Sequence, residues 1–562
     1  MLQKLYTAAG KALTGTPWQS YPRPQMKRAD WLCLNGEWQL AMGEKERRIR
    51  VPFCPESLLS GVDEAVSYGS PLIYRRTFCL PDAWADKRIL LHFGAVSRET
   101  VILLNGQELC RHENGYLPFT VEISGSLRSG ENELCVRAVN DLSRRYPWGK
   151  QKRKRGGMWY TPVSGIWQTV WLEPVPQRYI RSLRVQTGAD YADIRAEGVE
   201  DGVVNFAGQD YPLRGGCAHI PVEAPVLWSP EQPHLYRFNV TSGEDRVESY
   251  FALRTLSVEE IRGVPRLCLN GKPYFFNGLL DQGYWSDGLY TPPDAQAYER
   301  DILAMKALGF NTLRKHIKIE PEQFYYDCDR LGMVVFQDMV NCGNYHFVRD
   351  SVLPTVGLLR LGDRHVNRDR RMRENFRHAM EETVTLLANH PCICYWTIFN
   401  EGWGQFCADE MYAALKALDS TRFIDSASGW FQQKRSDVDS RHIYFKKLHL
   451  GKEKRPQVLS EFGGYSCKLP EHSANLDKTY GYRKYEDRET FLKDLRGLYE
   501  SELLPLVKQG LCAAIYTQVS DVEDETNGLL TFDRRVQKVC SEDLRDLAER
   551  LQQAVAPGKS IR

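Results

Sequence analysis

The sequence predicts two all-β domains followed by a (β/α)8 barrel, and three observations lead there. Residues 1–178 alternate short apolar runs with turn signals. Residues 179–257 continue in the same grammar with weaker strands. From residue 258 onward, strand-like runs alternate with helical ones to the end of the chain. A length of 562 residues suits three or four domains at roughly 100–200 residues each.

In the first region the runs are "LNGEWQL", "LIYRRTF", "RILLHFG", "TVILLNGQEL", "NELCVRAVN" and "WQTVWLEPV". Asn105–Gly106 separates two alternating runs, the pattern of a tight hairpin. Short strands at this spacing indicate a jelly roll or sandwich. In the second region "IRSLRVQT", "HLYRFNVTS" and "ESYFALRTL" fit an immunoglobulin-like sandwich, with Pro230 and Pro233 in a rigid turn.

The third region supplies eight strand candidates: 274–278, 311–314, 334–338, 392–399, 422–428, 442–445, 457–461 and 512–518. Residues 294–309 form a helix, with Asp294 as candidate N-cap and Tyr298, Ile302 and Met305 on one face. Residues 367–389 form another, with Phe376, Met380, Val384 and Leu387 at helical spacing. The run "CICYWTIF" is apolar at nearly every position, as a strand buried on both faces must be. Segments 429–441 and 446–456 are short and polar for crossover helices, so the barrel is expected to be imperfect there.

Composition excludes several functional classes. The 74 basic and 72 acidic residues leave a net charge of +2, which gives no basis for binding nucleic acid or an anionic membrane. The basic run Lys152–Arg155 therefore reads as a solvated loop. No run of about 18 apolar residues is present, and "MLQKLYTAAGKALTGTPW" lacks the apolar core of a secretory signal. The 15 cysteines are odd in number and include no CxxC pair, so they read as reduced small hydrophobes in a cytoplasmic protein. No phosphate-binding glycine loop occurs.

Two stretches carry chemistry. In "IFNEGWGQF" Glu401 follows an apolar run and precedes two glycines, and in "VLSEFGGYS" Glu461 does the same. In a (β/α)8 barrel the C-terminal strand ends form the active-site rim. Glu401 lies just beyond strand four and Glu461 at the end of strand seven, so both reach that rim. The glycines would turn the backbone tightly and leave space for a ligand. Paired carboxylates across a pocket are the equipment for glycosidic cleavage, one as acid and one as nucleophile, about 5–5.5 Å apart in a retaining enzyme.

"IFNEGWGQF" resembles the Asn-Glu motif of family 2 glycoside hydrolases, the β-galactosidase and β-glucuronidase family, and "LSEFGG" is similar to its nucleophile segment. "VPFCPES", "IYRRTF", "LLNGQEL" and "SGIWQTVWLEP" resemble its sugar-binding jelly roll, and "LCLNGKPYFFNGLLDQGYW" the start of its barrel. The resemblance implies a jelly roll over 1–178, an immunoglobulin-like sandwich over 179–257 and a catalytic barrel over 258–562. It implies Glu401 as acid/base and Glu461 as nucleophile of a retaining exo-β-glycosidase acting on a β-galactoside, β-galacturonide or β-glucuronide. It also implies Asn400 at the sugar 2-hydroxyl, for which a helix cap is the alternative.

Other candidates for contact with the sugar follow strand ends: Asp281 and Trp285, with Tyr284, after strand one; Arg314 and His316 after strand two; Asp338 after strand three. His442 and Tyr444 belong to strand six, Tyr516 and Gln518 to strand eight, and Trp430 is a second candidate platform for stacking. Loops after strands one, three and eight are long enough to wall the mouth.

Two departures from the family pattern stand out. Relatives usually present a Trp on strand eight, where this chain has Tyr516 and Gln518. The Asn-x-Lys marker of β-glucuronidases occurs only at Asn270–Lys272, before strand one. An acidic sugar would then need another cation; Arg314 is the first choice, with Lys315, Lys318, Lys446 and Lys447 also near strand ends. The magnesium and sodium ligands of large β-galactosidases find no match, so no metal and no cofactor is expected. The partner is a terminal β-glycoside, and the sequence leaves a homo-oligomer open. A second reading is a catalytically inactive, carbohydrate-binding barrel.

Overall fold

The computed structural model describes residues 2–452 and 454–555; the outermost residues of the first and last predicted spans fall outside them. A six-stranded and a four-stranded antiparallel sheet, built from strands between Leu32 and Val175, face each other as the jelly roll. Trp38, Leu40, Tyr74, Leu91, Ile102, Leu134 and Val170 fill the space between them. The Asn105–Gly106 hairpin is present, both residues in the left-handed conformation that such a two-residue turn requires. Seven antiparallel strands between Ser182 and Phe251 form the second domain around Ile194, Val204, Phe238 and Val247. A three-stranded sheet from Leu256 to Pro273 then leads into the barrel.

The barrel strands are Phe276–Asp281, Thr312–Lys315, Val334–Asp338, Ile393–Thr397, Phe423–Asp425, Asp439–Ile443, Gln457–Phe462 and Leu511–Tyr516, all parallel where paired. Their order is five-four-three-two-one-eight-seven-six. Strands five and six share no ladder. There the Asp437 amide donates to the Ile424 carbonyl at 2.9 Å, and the Asp437 carboxylate accepts from the Ile424 amide. The seam falls at 429–441, where the sequence lacks a crossover helix.

Strand six differs from expectation. It spans Asp439–Ile443, three residues earlier than the apolar run suggests, with a bulge between Arg441 and His442. Its polar residues hide it: buried Ser440 bonds Ser460 at 2.7 Å instead of packing apolar atoms. Tyr444 consequently lies just past the strand end. Asp294 is also not a cap; the helix Gln296–Ala307 begins behind Ala295, and Asp294 accepts from Arg300. The helix Arg370–Leu387 is capped by Asp369, whose side chain accepts from the Met372 amide.

The three regions are tied together at the rim. The jelly roll sends residues 140–164, without a strand, across the barrel mouth. There Arg155 pairs with Asp524 at 2.9 Å, and the Thr161 amide donates to Glu523 at 2.9 Å. Lys152 sits 3.8 Å over the Trp159 ring, and Arg153 lies 4.1 Å over Tyr68. Within the basic run Arg153 and Lys154 are exposed, as a solvated loop implies, while Arg155 ties the segment to the barrel. All 15 cysteines are free thiols. Among the described residues, no helix is long and apolar enough to cross a membrane.

Candidate active site

The two glutamates face one pocket. Its empty space, open solvent at the mouth included, is about 330 Å³, and side chains of the barrel and of the jelly-roll segment line it. One carboxylate oxygen from each and a ring nitrogen of His442 lie within 4.8 Å of one another. Separations of this order match the closely spaced carboxyl pairs rather than those set apart by a water.

Glu401 is held by an uncommon backbone. It takes φ +53°, its amide donates to the Ser428 carbonyl at 3.0 Å, and its own carbonyl accepts from Trp430 Nε1 at 3.1 Å. The glycines behind the glutamates serve packing. A Cβ on Gly404 would lie 1.8 Å from the Cys342 carbonyl, and one on Gly463 would lie 2.3 Å from the Tyr516 ring. The expectation that they leave room for a ligand is therefore corrected.

The carboxyl groups differ in surroundings. Burial pushes Glu401 above the usual carboxylate range, with the nearby Glu461 adding to the rise and a 2.8 Å hydrogen bond with His442 Nδ1 opposing it. Burial also acts on Glu461, but His442 and Arg314 outweigh it and bring Glu461 well below that range. Arg314 Nη1 donates to Glu461 Oε1 at 3.1 Å and Tyr444 Oη donates to Oε2. Of two carboxyls close together, the one raised by burial is suited to donate a proton and the one held low is suited to act as nucleophile. The same three donors could hold a cation in principle. Arg314 and Tyr444 already satisfy Glu461, which leaves little negative charge for one.

Arg314 is fully engaged. Nε donates to Asp338 at 2.9 Å, Nη1 to the Ser460 carbonyl at 2.9 Å and to Glu461, and Nη2 to Asn400 Oδ1 at 2.8 Å. It fixes Glu461 and turns the Asn400 amide so that Nδ2 points away, buried and without a partner. Asn400 caps no helix, since the next one starts at Ala408 behind Cys407. His316 lines the pocket, bonds Asp338 at 2.7 Å and is brought down to about 4, by burial first and then by the charge of Lys150. His442 sits behind both glutamates, with Nε2 on Ser428 Oγ at 2.9 Å. Tyr444 lines the pocket and stacks on Tyr482.

Other expected residues do not reach this pocket. Asp281 turns to Lys315 at 2.6 Å and, with Trp285, lines a separate small cavity. Trp285 is buried beneath the Arg534 guanidinium, and Tyr284 packs with Tyr160 and Tyr290. Asp338 stands behind Arg314 and His316. Tyr516 is core, against Phe462, its hydroxyl accepting from the Tyr465 amide. Gln518 lies behind Glu525 and Asn527, donating to both. Trp430 edges onto His442. Each was placed by its strand end alone, and one apolar or ionic neighbour diverts it.

Several lining residues escaped the sequence reading: Lys150 and Met158 from the jelly-roll segment, Gln282, Tyr480, Tyr482, Glu525 and Asn527. Of the loops expected to wall the mouth, those after strands one and eight contribute Gln282, Thr517, Glu525 and Asn527, and among the described residues the one after strand three contributes nothing; the jelly-roll segment and the loop after strand seven add to the wall. One signal was available: 25 residues without a strand inside a β-domain are uncommon unless they serve a site.

Comparison with known proteins fits this architecture. Three sequence profiles of glycosyl hydrolases family 2 match in succession: the galactose-binding domain-like profile over 55–194, the central profile over 181–254 and the TIM barrel profile over 260–465. The chain belongs to glycosyl hydrolase family 2. Curated family 2 relatives include a β-galactosidase of Aeromonas hydrophila, 28% identical over 65% of this chain and 36% of its own. A putative β-glucuronidase of Formosa agariphila is 24% identical over 63% of this chain and 34% of its own. The chain thus matches about a third of the length of these relatives. Solved structures share the fold across their length. A β-glucuronidase from an uncultured Clostridium sp. superposes with TM-score 0.73 at 18% identity, covering 94% of this chain and 99% of that one. A β-galacturonidase of Eisenbergiella tayi bound to galacturonate gives 0.69 at 20%, covering 95% and 99%.

Proposed function

We propose that this family 2 protein is a retaining, exo-acting β-glycosidase. The observation that carries the reading is the Glu401–Glu461 pair: close together in one pocket, one carboxyl pushed up by burial and the other held low by His442, Arg314 and Tyr444. Glu461 attacks the anomeric carbon, and the C1–O bond breaks as Glu401 gives its proton to the leaving oxygen. A water then transfers a proton to the Glu401 carboxylate and attacks C1, releasing Glu461. Asn400, whose Oδ1 is taken by Arg314 and whose Nδ2 is left without a partner, donates to a sugar hydroxyl beside the reacting carbon. The names of the relatives support a terminal galactose or hexuronic acid as the sugar.

The test is a panel of aryl β-glycosides, with proton NMR of the first sugar released. Hydrolysis with the β-anomer appearing first is expected. The α-anomer appearing first would mean inversion, and no turnover on any of them would favour the inactive-barrel reading, for which no feature of the site speaks.

A further inference from the structure

Among the described residues Lys150 is the single lysine or arginine lining the catalytic pocket, and it comes from the jelly-roll domain rather than the barrel. It is 7% exposed. Its ammonium lies 5.6 Å from the Tyr160 ring centre and 5.7 Å from that of Trp403, and among the described residues it has neither a hydrogen bond nor an ion pair. A buried ammonium without an anion is costly. The other basic residues expected near the strand ends are no substitute. Arg314 is saturated, Lys315 pairs with Asp281 and Glu320, Lys318 with Glu320 and two carbonyls, and Lys446 and Lys447 are exposed outside the pocket.

The pocket also carries unpaired donors. Asn400 Nδ2, Gln282 Nε2, Trp403 Nε1 and Asn527 Nδ2 are buried without partners. Two of the amides are oriented by their neighbours: Arg314 donates to Asn400 Oδ1, and Gln518 donates to Asn527 Oδ1. The donors left free belong to side chains that line the pocket. Four unpartnered donors and one ammonium that makes no ion pair suit a ligand that brings acceptors and a negative charge.

We propose that the terminal sugar is a hexuronate and that Lys150 binds its carboxylate, so that the jelly-roll domain supplies the specificity of the barrel's site. The proposal rests on the glycosidase reading above. Burying the sugar carboxylate against Lys150 satisfies both charges at once. A neutral hexose in the same place leaves the ammonium unpaired. Glu525, which also lines the pocket, makes no ion pair with Lys150 within 4 Å; burial pushes its carboxyl up, and the charge of Lys150 is the strongest influence opposing that rise.

The experiment compares 4-nitrophenyl β-D-galacturonide, β-D-glucuronide and β-D-galactoside in the parent, Lys150→Met and Lys150→Arg, alongside calorimetric titration with free D-galacturonate, D-glucuronate and D-galactose. The parent is expected to prefer one uronide over the galactoside. In Lys150→Met the uronide-to-galactoside ratio of kcat/KM should fall at least about 30-fold, mostly through KM, as for removal of one partner of a buried charge pair. Lys150→Arg should recover part of the ratio, which a packing role for the lysine would not produce. A parent that prefers the galactoside, or a ratio unchanged in Lys150→Met, overturns the inference and leaves the glycosidase reading intact. If the parent cleaves none of the three, the glycosidase reading passes to the wider panel above. The titration then decides: uronate binding lost in Lys150→Met supports the lysine's role, and absent or undiminished binding overturns it.

Discussion

The ends of barrel strands four and seven look alike in sequence and differ in chemistry. Each has an apolar run, a glutamate and a pair of glycines. Glu461 receives Arg314 and the Tyr444 hydroxyl, whereas Glu401 receives the ring of His442 and a helping of burial without a formal cation in contact. The difference arises because Arg314, at the end of strand two, reaches across the floor of the barrel to strand seven, with its remaining donors committed to Asp338 and Asn400. Local sequence places a carboxyl group on the rim; the partner that decides its protonation comes from another strand.

The comparison breaks most sharply if the two glutamates are removed in turn. Glu461→Gln should lower kcat/KM at least about 10,000-fold on every aryl glycoside cleaved by the parent, because no leaving group replaces the missing nucleophile. Glu401→Gln should lose roughly 100- to 10,000-fold on phenyl glycosides, yet remain within about tenfold of the parent on 2,4-dinitrophenyl glycosides, which need no proton to depart. Steady-state rates across leaving groups of graded pKa measure both. Equal losses in the two variants on the dinitrophenyl substrate would erase the distinction between the strand ends.

Arg314→Met tests where the difference comes from. Without the guanidinium, Glu461 loses one of the charges that hold it ionised, so the acidic limb of kcat/KM should move to higher pH while the basic limb, set by Glu401, stays. Asp338 is also left buried with only His316 as partner, and loss of a partner from a buried ion pair costs about 3–5 kcal/mol. Chemical denaturation and a pH–rate profile read the two effects separately. A stability loss with an unmoved acidic limb would make Arg314 a packing residue alone.

The domain grammar was legible because periodicity reports burial, and barrel strands such as Val334–Asp338, Ile393–Thr397 and Leu511–Tyr516 are largely apolar. The sixth was misplaced because Asp439 and Ser440 are buried as hydrogen-bonding residues rather than apolar ones. The pair Glu401 and Glu461 was legible because both the strand end and the residue type point to the rim. Asp281, Trp285, Tyr516 and Gln518 lay at similar positions, yet Lys315, Arg534, Phe462 and Glu525 draw them elsewhere. Strand position specifies a height in the barrel and leaves the direction of the side chain to its partners. Lys150 was out of reach for a different reason: it joins the pocket from a loop more than 200 residues before the glutamates, and its surroundings in sequence are those of a surface loop.

The smallest predicted effect is the most discriminating, because His442 touches both sides of the comparison. Its Nδ1 lies 2.8 Å from Glu401 and 3.5 Å from Glu461. After burial, which pushes each carboxyl up, His442 is the strongest influence holding either one down. In His442→Asn that restraint goes from both. Glu401 then keeps its proton to higher pH, so the basic limb moves up. Glu461 needs a higher pH to ionise, so the acidic limb moves up with it. The whole bell should shift by about 1 pH unit, the order of one charge-assisted hydrogen bond, and its width should change little. Arg314→Met narrows the bell from the acidic side alone. The limbs belong to the coupled pair rather than to single residues, so the comparison to make is displacement against narrowing. If His442→Asn moved the acidic limb only, the ring would act as a second Arg314 on Glu461, and the protonated state of Glu401 would rest on burial and the charge of Glu461.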